Sequence, residues 1–380
     1  MDQATLELAP SPLDSQRFGM RVHRGRCERL DDRALFEALV AQRVDVAILR
    51  TPAGASAAWQ RLGRYGLLPI HADTLVYYRT SLQDLPARPL RNADLAFAEA
   101  TDADRDALAA LVRTTFDGYV SHYHANPAFD PQRVLAGYME WATGYIASGD
   151  AGRITWVARR AGEIVAFACC SFDQATGEAE GVLYGVHPAH AGGGLYGDLI
   201  RYTQAQFRAR GFRAMVVSTQ IWNYAVQKVW TREGFVLDKA YDTWHVNAML
   251  DCGEVMAEHT VVFTPEQVRT FAQATGDANP VHFDDAAARA AGFDGRIAHG
   301  MLVGGELSRI FGMETPGPGT LFLRANLVFL KPMHPGVPYA LRVRNPAGGP
   351  LRGFVPTVAT VHDADGALCV LCYSDLLKRG

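Results

Sequence analysis

The chain has 380 residues, 48% of them apolar and 20% charged, with a formal net charge of −3. That balance is ordinary for a globular protein and offers no basic footprint for nucleic acid. No apolar run reaches the roughly 18 residues a membrane span needs, and the acidic opening MDQATLELAPSPLDS lacks an apolar signal core, so neither a membrane nor a nucleic-acid partner is expected and the cytoplasm is the expected location.

Three segments separate by pattern along the chain. In residues 1–90, VDVAILRTP (44–52) and TLVYYRT (74–80) read as strands flanking a helical ASAAWQRLGRYG, and the polar, proline-bearing SLQDLPARPLRNAD reads as a linker. This is a small α/β unit. In residues 91–252, TDADRDALAALVRTTF has alanine and leucine at helical spacing behind Thr101 as N-cap. Strands follow at ITWVARR, EIVAFACCSF and EGVLYGVHP. A glycine-rich turn, AHAGGGLYG, opens the helix DLIRYTQAQFRARG; then come the strand AMVVST, the helix YAVQKVWTREG and a closing FVLDKAYDTWHVNAML. In residues 253–380 a short leading strand precedes a helix over 265–275, a polar turn, a second helix, a longer helix over about 300–311 and several strands.

The six cysteines are Cys27, Cys169, Cys170, Cys252, Cys369 and Cys372. Cys369 and Cys372 form a CxxC inside ALCVLCY, which reads as a buried strand. Core thiols are expected there, with neither a metal site nor a disulfide framework.

The most specific signal is GDANPVH (276–282), followed by IAHGML (297–302) and VFLKPMHPG (328–336). These residues resemble MaoC-type (R)-specific enoyl-CoA hydratases over nearly the whole third segment, and the resemblance implies a hot-dog fold. Hydrating a trans-2-enoyl thioester takes a base for the water that attacks C3 and an acid for C2. Asp277 and His282 are the candidate pair, and Asn279 with Pro280 shapes the turn that aims both. The thioester oxygen gains charge and wants N–H donors at a helix start. Gly300 matches the family's oxyanion-hole glycine. Ser308 matches a further site position, expected to orient the substrate or the dyad. His299, in the same motif, is read as structural.

GVLYGVHPAHAGGGLYGDLI (181–200) and NYAVQKVWTREGF (223–235) resemble the GNAT-type N-acyltransferases. The resemblance implies that Val186 and its predecessors line the pantetheine arm of an acyl-CoA. It also implies that Gly192, Gly193 and Gly194 bring backbone against the pyrophosphate at a helix start, and that Asn223 belongs to the same CoA site. Three departures stand out: Ala191 in place of a usual basic residue, Tyr196 in place of a glycine, and Trp230 in place of the tyrosine that protonates the leaving thiolate. Indole cannot act as that acid. Tyr224, Tyr184 or departure without direct protonation remain open. LDSQRFGMRV, VDVAILR, DTLVYYR and YVSHYHANPAF (119–129) resemble nucleotide-sugar N-acyltransferases, which implies an acceptor side in residues 1–90. His122 and His124 then become candidate proton acceptors for the sugar amine; two loop-packing histidines are the other reading.

The expected architecture is an α/β and α+β multidomain chain. A GNAT-like N-terminal region, made of the small unit (1–90) and a GNAT domain (91–252), precedes a hot-dog domain (253–380). Acyl-CoA is the expected cosubstrate, with no permanently bound cofactor, a dTDP-amino-dideoxysugar as acceptor, and a homodimer or larger homo-oligomer as the assembly. The leading functional reading makes 3-hydroxybutyryl-CoA in one half and transfers its acyl group in the other. The alternatives are an acetyl-CoA-dependent transferase beside an independent hydratase, or a silent hot-dog module for dimerisation or acyl-CoA sensing.

Overall fold

The computed structural model describes residues 6–146, 150–346 and 353–378. The first five residues, part of the opening read above, lie outside the described residues. The first segment contributes β1 (Glu7–Pro10), α1 (Pro12–Phe18), β2 (Val22–Arg26), α2 (Asp32–Ala41), β3 (Val46–Pro52) and β4 (Pro69–Ser81). The second contributes β5 (Ala96–Glu99), α3 (Arg105–Phe116), α4 (Pro131–Thr143), β6 (Arg153–Arg160), β7 (Glu163–Asp173), β8 (Glu178–Val186), α5 (Leu195–Ala209), β9 (Ala214–Gln220), α6 (Tyr224–Arg232) and β10 (Val236–Asn247). Local signals explain the helix starts. Asp31 accepts from the Arg33 and Ala34 amides ahead of α2, and Thr101 forms a capping box with Asp104 just before α3. The stretch expected as a helix after β3 is a 3-10 helix, Ser56–Tyr65, that buries Trp59 and Leu62 one turn apart.

Both segments share one ten-stranded sheet, in the order β1-β2-β3-β10-β4-β9-β8-β7-β6-β5. The closing strand of the second segment, β10, sits between β3 and β4 of the first. Thr243 faces Arg50 on one side and Asp73 on the other. The Trp244 and Trp59 rings stack at 4.8 Å within a core that also holds Leu35, Leu49 and Val246. β8 and β9 run parallel, but they pair only from Glu178 to Gly181 against Ala214 to Val217. Beyond that point β8 follows β7 and β9 follows β4. The wedge between them opens into a cavity of about 570 Å³.

The third segment forms β11 (Glu254–Val262), α7 (Pro265–Thr275), α8 (Asp285–Ala290), α9 (Met301–Met313), β12 (Thr320–Phe329), β13 (Pro338–Asn345), β14 (Phe354–His362) and β15 (Leu368–Lys378). The five strands make an antiparallel sheet in the order β11-β13-β14-β15-β12. Val303, Leu307, Ile310 and Phe311 recur at helical spacing on α9 and pack with Leu341, Val343 and Val361 from the sheet. Each such side chain contributes roughly 1.5–3 kcal/mol when fully buried. Cys369 and Cys372 lie buried in β15 as free thiols. Tyr373 Oη, on the same strand, donates to the Ala248 carbonyl at 2.8 Å and ties the hot-dog sheet to the end of β10.

Candidate functional site

The hydratase motif occupies the turn after α7. That helix starts in a capping box between Thr264 and Gln267, with Pro265 in its first turn. It ends on Gly276, whose φ of +81° is the left-handed value glycine adopts at low cost. Asp277 emerges directly from this stop. The Asn279 side chain accepts from the Val281 amide and caps a single 3-10 turn, Pro280–His282. His282 Nδ1 lies 2.8 Å from the Ile297 carbonyl oxygen. A carbonyl only accepts, so Nδ1 carries the proton and Nε2 keeps its lone pair free for a water. His299 Nε2 lies 3.0 Å from the Asp277 carbonyl oxygen, and its ring sits over that of His282 at 3.8 Å between centroids. Ligand-type atoms of Asp277, His282 and His299 all lie within 4.8 Å of one another. His299 is buried, and its hydrogen bond holds the backbone that presents Asp277.

Gly300 starts α9, and a Cβ there would fall 2.7 Å from the Phe329 ring. The helix therefore begins hard against β12; the Leu302 and Val303 amides turn back to the His299 and Gly300 carbonyls at 3.1 Å each, which leaves the Gly300 and Met301 amides at its mouth. Ser308 lies two turns along, on the flank of α9 that carries Gly304, and is exposed. Asp277 and His282 come together in this single chain with His299 beside them; Ser308 stands apart on the open face.

The second site is the wedge between β8 and β9. His122 and Asn223 reach its lining, together with Tyr119, Tyr184, Tyr196 and Trp230. Asn223 occupies the N-cap position of α6 without a capping bond from its side chain, whose amide instead donates to Thr219 Oγ1 at 3.0 Å. His122 and His124 part company on the 3-10 turn His122–Ala125. His122 is buried against the cavity, its Nδ1 2.9 Å from His245 Nε2. His124 is exposed, and its Nδ1 accepts from the Ser121 amide as a cap. Burial drives the His122 imidazole well below its ordinary pKa and takes that of His245 down to about 3, so this pair stays neutral with one ring donating to the other.

Of the open candidates for acid, Tyr224 is exposed on the outer side of α6. Tyr184 lines the cavity, but its hydroxyl donates to Thr203 Oγ1 at 2.9 Å. Tyr196, noticed in the sequence only as a missing glycine, lines the cavity close to Trp230; burial raises its phenol, which therefore stays protonated.

The glycine turn is built for close approach. Gly192 and Gly194 have φ of +82° and +84°, and Gly194 leads directly into α5. Val186, at the end of β8, packs half-buried against the same core, outside the cavity lining. Arg91 brings a cation to the turn that has Ala191 where a basic residue is usual: its Cδ lies 3.0 Å and its Nη1 3.4 Å from where a Cβ on Gly194 would stand. Buried Asp198, in the first turn of α5, accepts from the Arg91 and Asn92 amides at 2.8 Å each and pins the linker there. No sequence spacing pointed to Arg91, because it arrives from a linker about a hundred residues upstream of the turn it serves.

Residues 252–345 match the MaoC like domain family, and residues 117–235 match the Acetyltransferase (GNAT) family. The chain thus carries a GNAT domain in its middle and a MaoC-type hot-dog domain at its C-terminus, and both families take acyl-CoA as a cosubstrate. It is 34% identical over 103 residues to the mitochondrial 3-hydroxyacyl-[acyl-carrier-protein] dehydratase of Arabidopsis thaliana, covering 27% of this chain and 60% of that one. It is 36% identical over 74 residues to the (R)-specific enoyl-CoA hydratase of Aeromonas caviae, covering 20% of this chain and 55% of the other. The chain therefore spans between half and two thirds of the length of these relatives. Among solved structures, the R-hydratase PhaJ1 from Pseudomonas aeruginosa is 32% identical, with a TM-score of 0.31 over 34% of this chain and 83% of that one. A GCN5-related N-acetyltransferase from Sphaerobacter thermophilus is 15% identical, with a TM-score of 0.43 over 63% of this chain and 75% of that one. Among the described residues, no helix is long and apolar enough to cross a membrane.

Proposed function

We propose that the chain is a bifunctional enzyme. Its hot-dog domain adds water to crotonyl-CoA to give (R)-3-hydroxybutyryl-CoA. Its N-terminal region transfers that acyl group to the amine of a dTDP-linked amino-dideoxysugar, such as dTDP-4-amino-4,6-dideoxyglucose, for a surface or flagellar glycan. In the first reaction His282 Nε2 takes a proton from the attacking water, Asp277 manages the proton for C2, and the amides at the start of α9 hold the thioester oxygen. In the second, the amine nitrogen bonds the thioester carbonyl carbon, the C–S bond breaks, and CoA leaves as the thiol with the proton the amine loses. Arg91 and the glycine turn are suited to the CoA pyrophosphate. Tyr196, which lines the same cavity, passes that proton on, giving its own to the thiolate and recovering one from the amine.

The observation that carries this reading is the conjunction, in one chain, of an acid–base pair beside a helix start and a splayed-strand cavity. The first makes a 3-hydroxyacyl thioester; the second consumes an acyl thioester at raised effective concentration. The test is direct. Crotonyl-CoA and the dTDP-amino sugar, with this protein alone, should yield the N-3-hydroxybutanoyl sugar by mass spectrometry. Acetylated sugar from acetyl-CoA, with no hydroxybutanoyl product from any donor, would replace the coupled reading with the acetyltransferase one.

A further inference from the structure

The floor of the transferase cavity holds a carboxylate that the chemistry above does not use. Asp73 is 1% exposed; neither of its oxygens makes a close, well-aligned hydrogen bond among the described residues, and the donors beside it are Thr243 and Gln220. Leaving a buried acid in that state is costly, and structural burial alone gives no reason to keep one. Its direction is fixed by register. Asp73 lies two residues from Leu75 on β4 and, across β10, in line with Thr243 and Arg50. Leu75 and Arg50 both line the cavity, so Asp73 stands on the cavity side of the sheet, one layer beneath the lining.

Above it lies Gln220, the last residue of β9, which faces Leu75 in the ladder and does line the cavity. The Tyr119 hydroxyl donates to Gln220 Oε1. A carboxylate only accepts, so beside Asp73 the stable orientation of Gln220 puts its NH₂ toward the acid and its oxygen toward Tyr119. Tyr119 has one proton, and it is spent on Gln220. The acceptor side of its oxygen then faces the cavity lining, where Thr219 and Asn223 also lie against it.

We propose that Tyr119, set by Gln220 and Asp73, is the subsite for the acceptor's primary amine. Tyr119 Oη accepts an N–H from that group, and Asp73 is a positioning residue that makes Tyr119 an acceptor while its charge favours the ammonium form on binding; the ammonium releases one proton to solvent before the neutral amine attacks. The inference rests on the acyl-transfer reading and adds the group that distinguishes amine from alcohol. Burial raises the Asp73 carboxyl, against the pull of Thr243, Arg50, His71 and Gln220, and it also raises the Tyr119 phenol, which therefore stays un-ionised. The neutral, mutually bonded His122 and His245 leave little basicity for the same task.

The experiment measures binding of dTDP-4-amino-4,6-dideoxyglucose and of its 4-hydroxy counterpart to the wild type, Asp73→Asn and Tyr119→Phe. Wild-type transfer to the amino sugar from acetyl-CoA, scored first, reports on the acyl-transfer reading by itself. The wild type should favour the amino sugar at least tenfold, the scale of a charge-assisted hydrogen bond. In both variants that preference should fall below about threefold, with acyl-CoA affinity and crotonyl-CoA hydration unchanged. Asp73→Asn should also melt at the same temperature or higher, because it removes a poorly compensated buried charge. An undiminished amine preference in either variant overturns the assignment. So does equal weakening of both sugars with a lowered melting temperature, which is the signature of a purely structural Asp73.

Discussion

Each half of the chain turns on a few side chains whose hydrogen bonds decide which atom is left free. At His282 the free atom is Nε2, because Nδ1 is held by the Ile297 carbonyl. Asp277→Asn and His282→Ala should each lower crotonyl-CoA hydration on the order of 10²-fold or more, the usual scale for losing a general acid or base. Transfer from supplied 3-hydroxybutyryl-CoA should stay unchanged. Both rates are read on the same preparations, by loss of enoyl absorbance and by mass of the acylated sugar; hydration at the wild-type rate in both variants would remove the dyad. His245 gives a pH prediction. The unfolded imidazole binds a proton near 6.5, and the folded one refuses it down to about 3. The unfolded state therefore binds more protons across that window, and stability, complete above about pH 6.5, declines as the pH falls through it. His245→Gln should shrink the stability lost between pH 7.5 and pH 5 by about 1–2 kcal/mol, measured by urea unfolding at both pH values. An equal loss in the variant would mean that the pair is not the acid-sensitive element.

At the scale of the element, the glycine turn before α5 bears the cleanest test. Gly194 has φ of +84°, with Arg91 at 3.0 Å from its missing Cβ, so Gly194→Val strains the backbone and displaces the cation together. Transfer should show a KM for acyl-CoA raised at least tenfold while hydration survives; loss of both activities would indicate misfolding or a shared CoA site. What could be read from sequence divides along the same line. The hydratase turn was legible because its parts are consecutive: a capping box at Thr264, a stop at Gly276, and Asp277 to His282 within one tight bend. The role of His299 was half legible, since its burial fits a structural histidine but its ring lies on His282. The transferase cavity was not legible in this way. Tyr119, Asp73, Gln220 and Arg91 come from four separate stretches and meet only through strand register, which no local pattern encodes. Neighbouring His122 and His124 looked alike in sequence, and a 3-10 turn sent one inward and the other out.

For the molecule as a whole, the hot-dog sheet ends on β12, an edge strand that exposes Leu321, Phe322, Leu323 and Phe329, with Met301 of α9 nearby. Edges of this kind are normally covered, and a two-fold pairing that continues the sheet is the simplest cover. Light scattering should report a dimer or larger at working concentration, and a clean monomer would contradict this. The position of β10 has a different consequence, one that concerns the order of synthesis. β3 and β4 leave the ribosome early, yet the strand that fills the gap between them is Val236–Asn247, made more than 150 residues after β4. Until it emerges, Trp59 lacks the Trp244 ring it stacks on, and the edges of β3 and β4 that face β10 stay unpaired. The N-terminal unit is thus made well before the strand that completes its part of the large sheet. A nascent chain stopped short of β10 presents two open strand edges to whatever chaperone or neighbouring chain it meets.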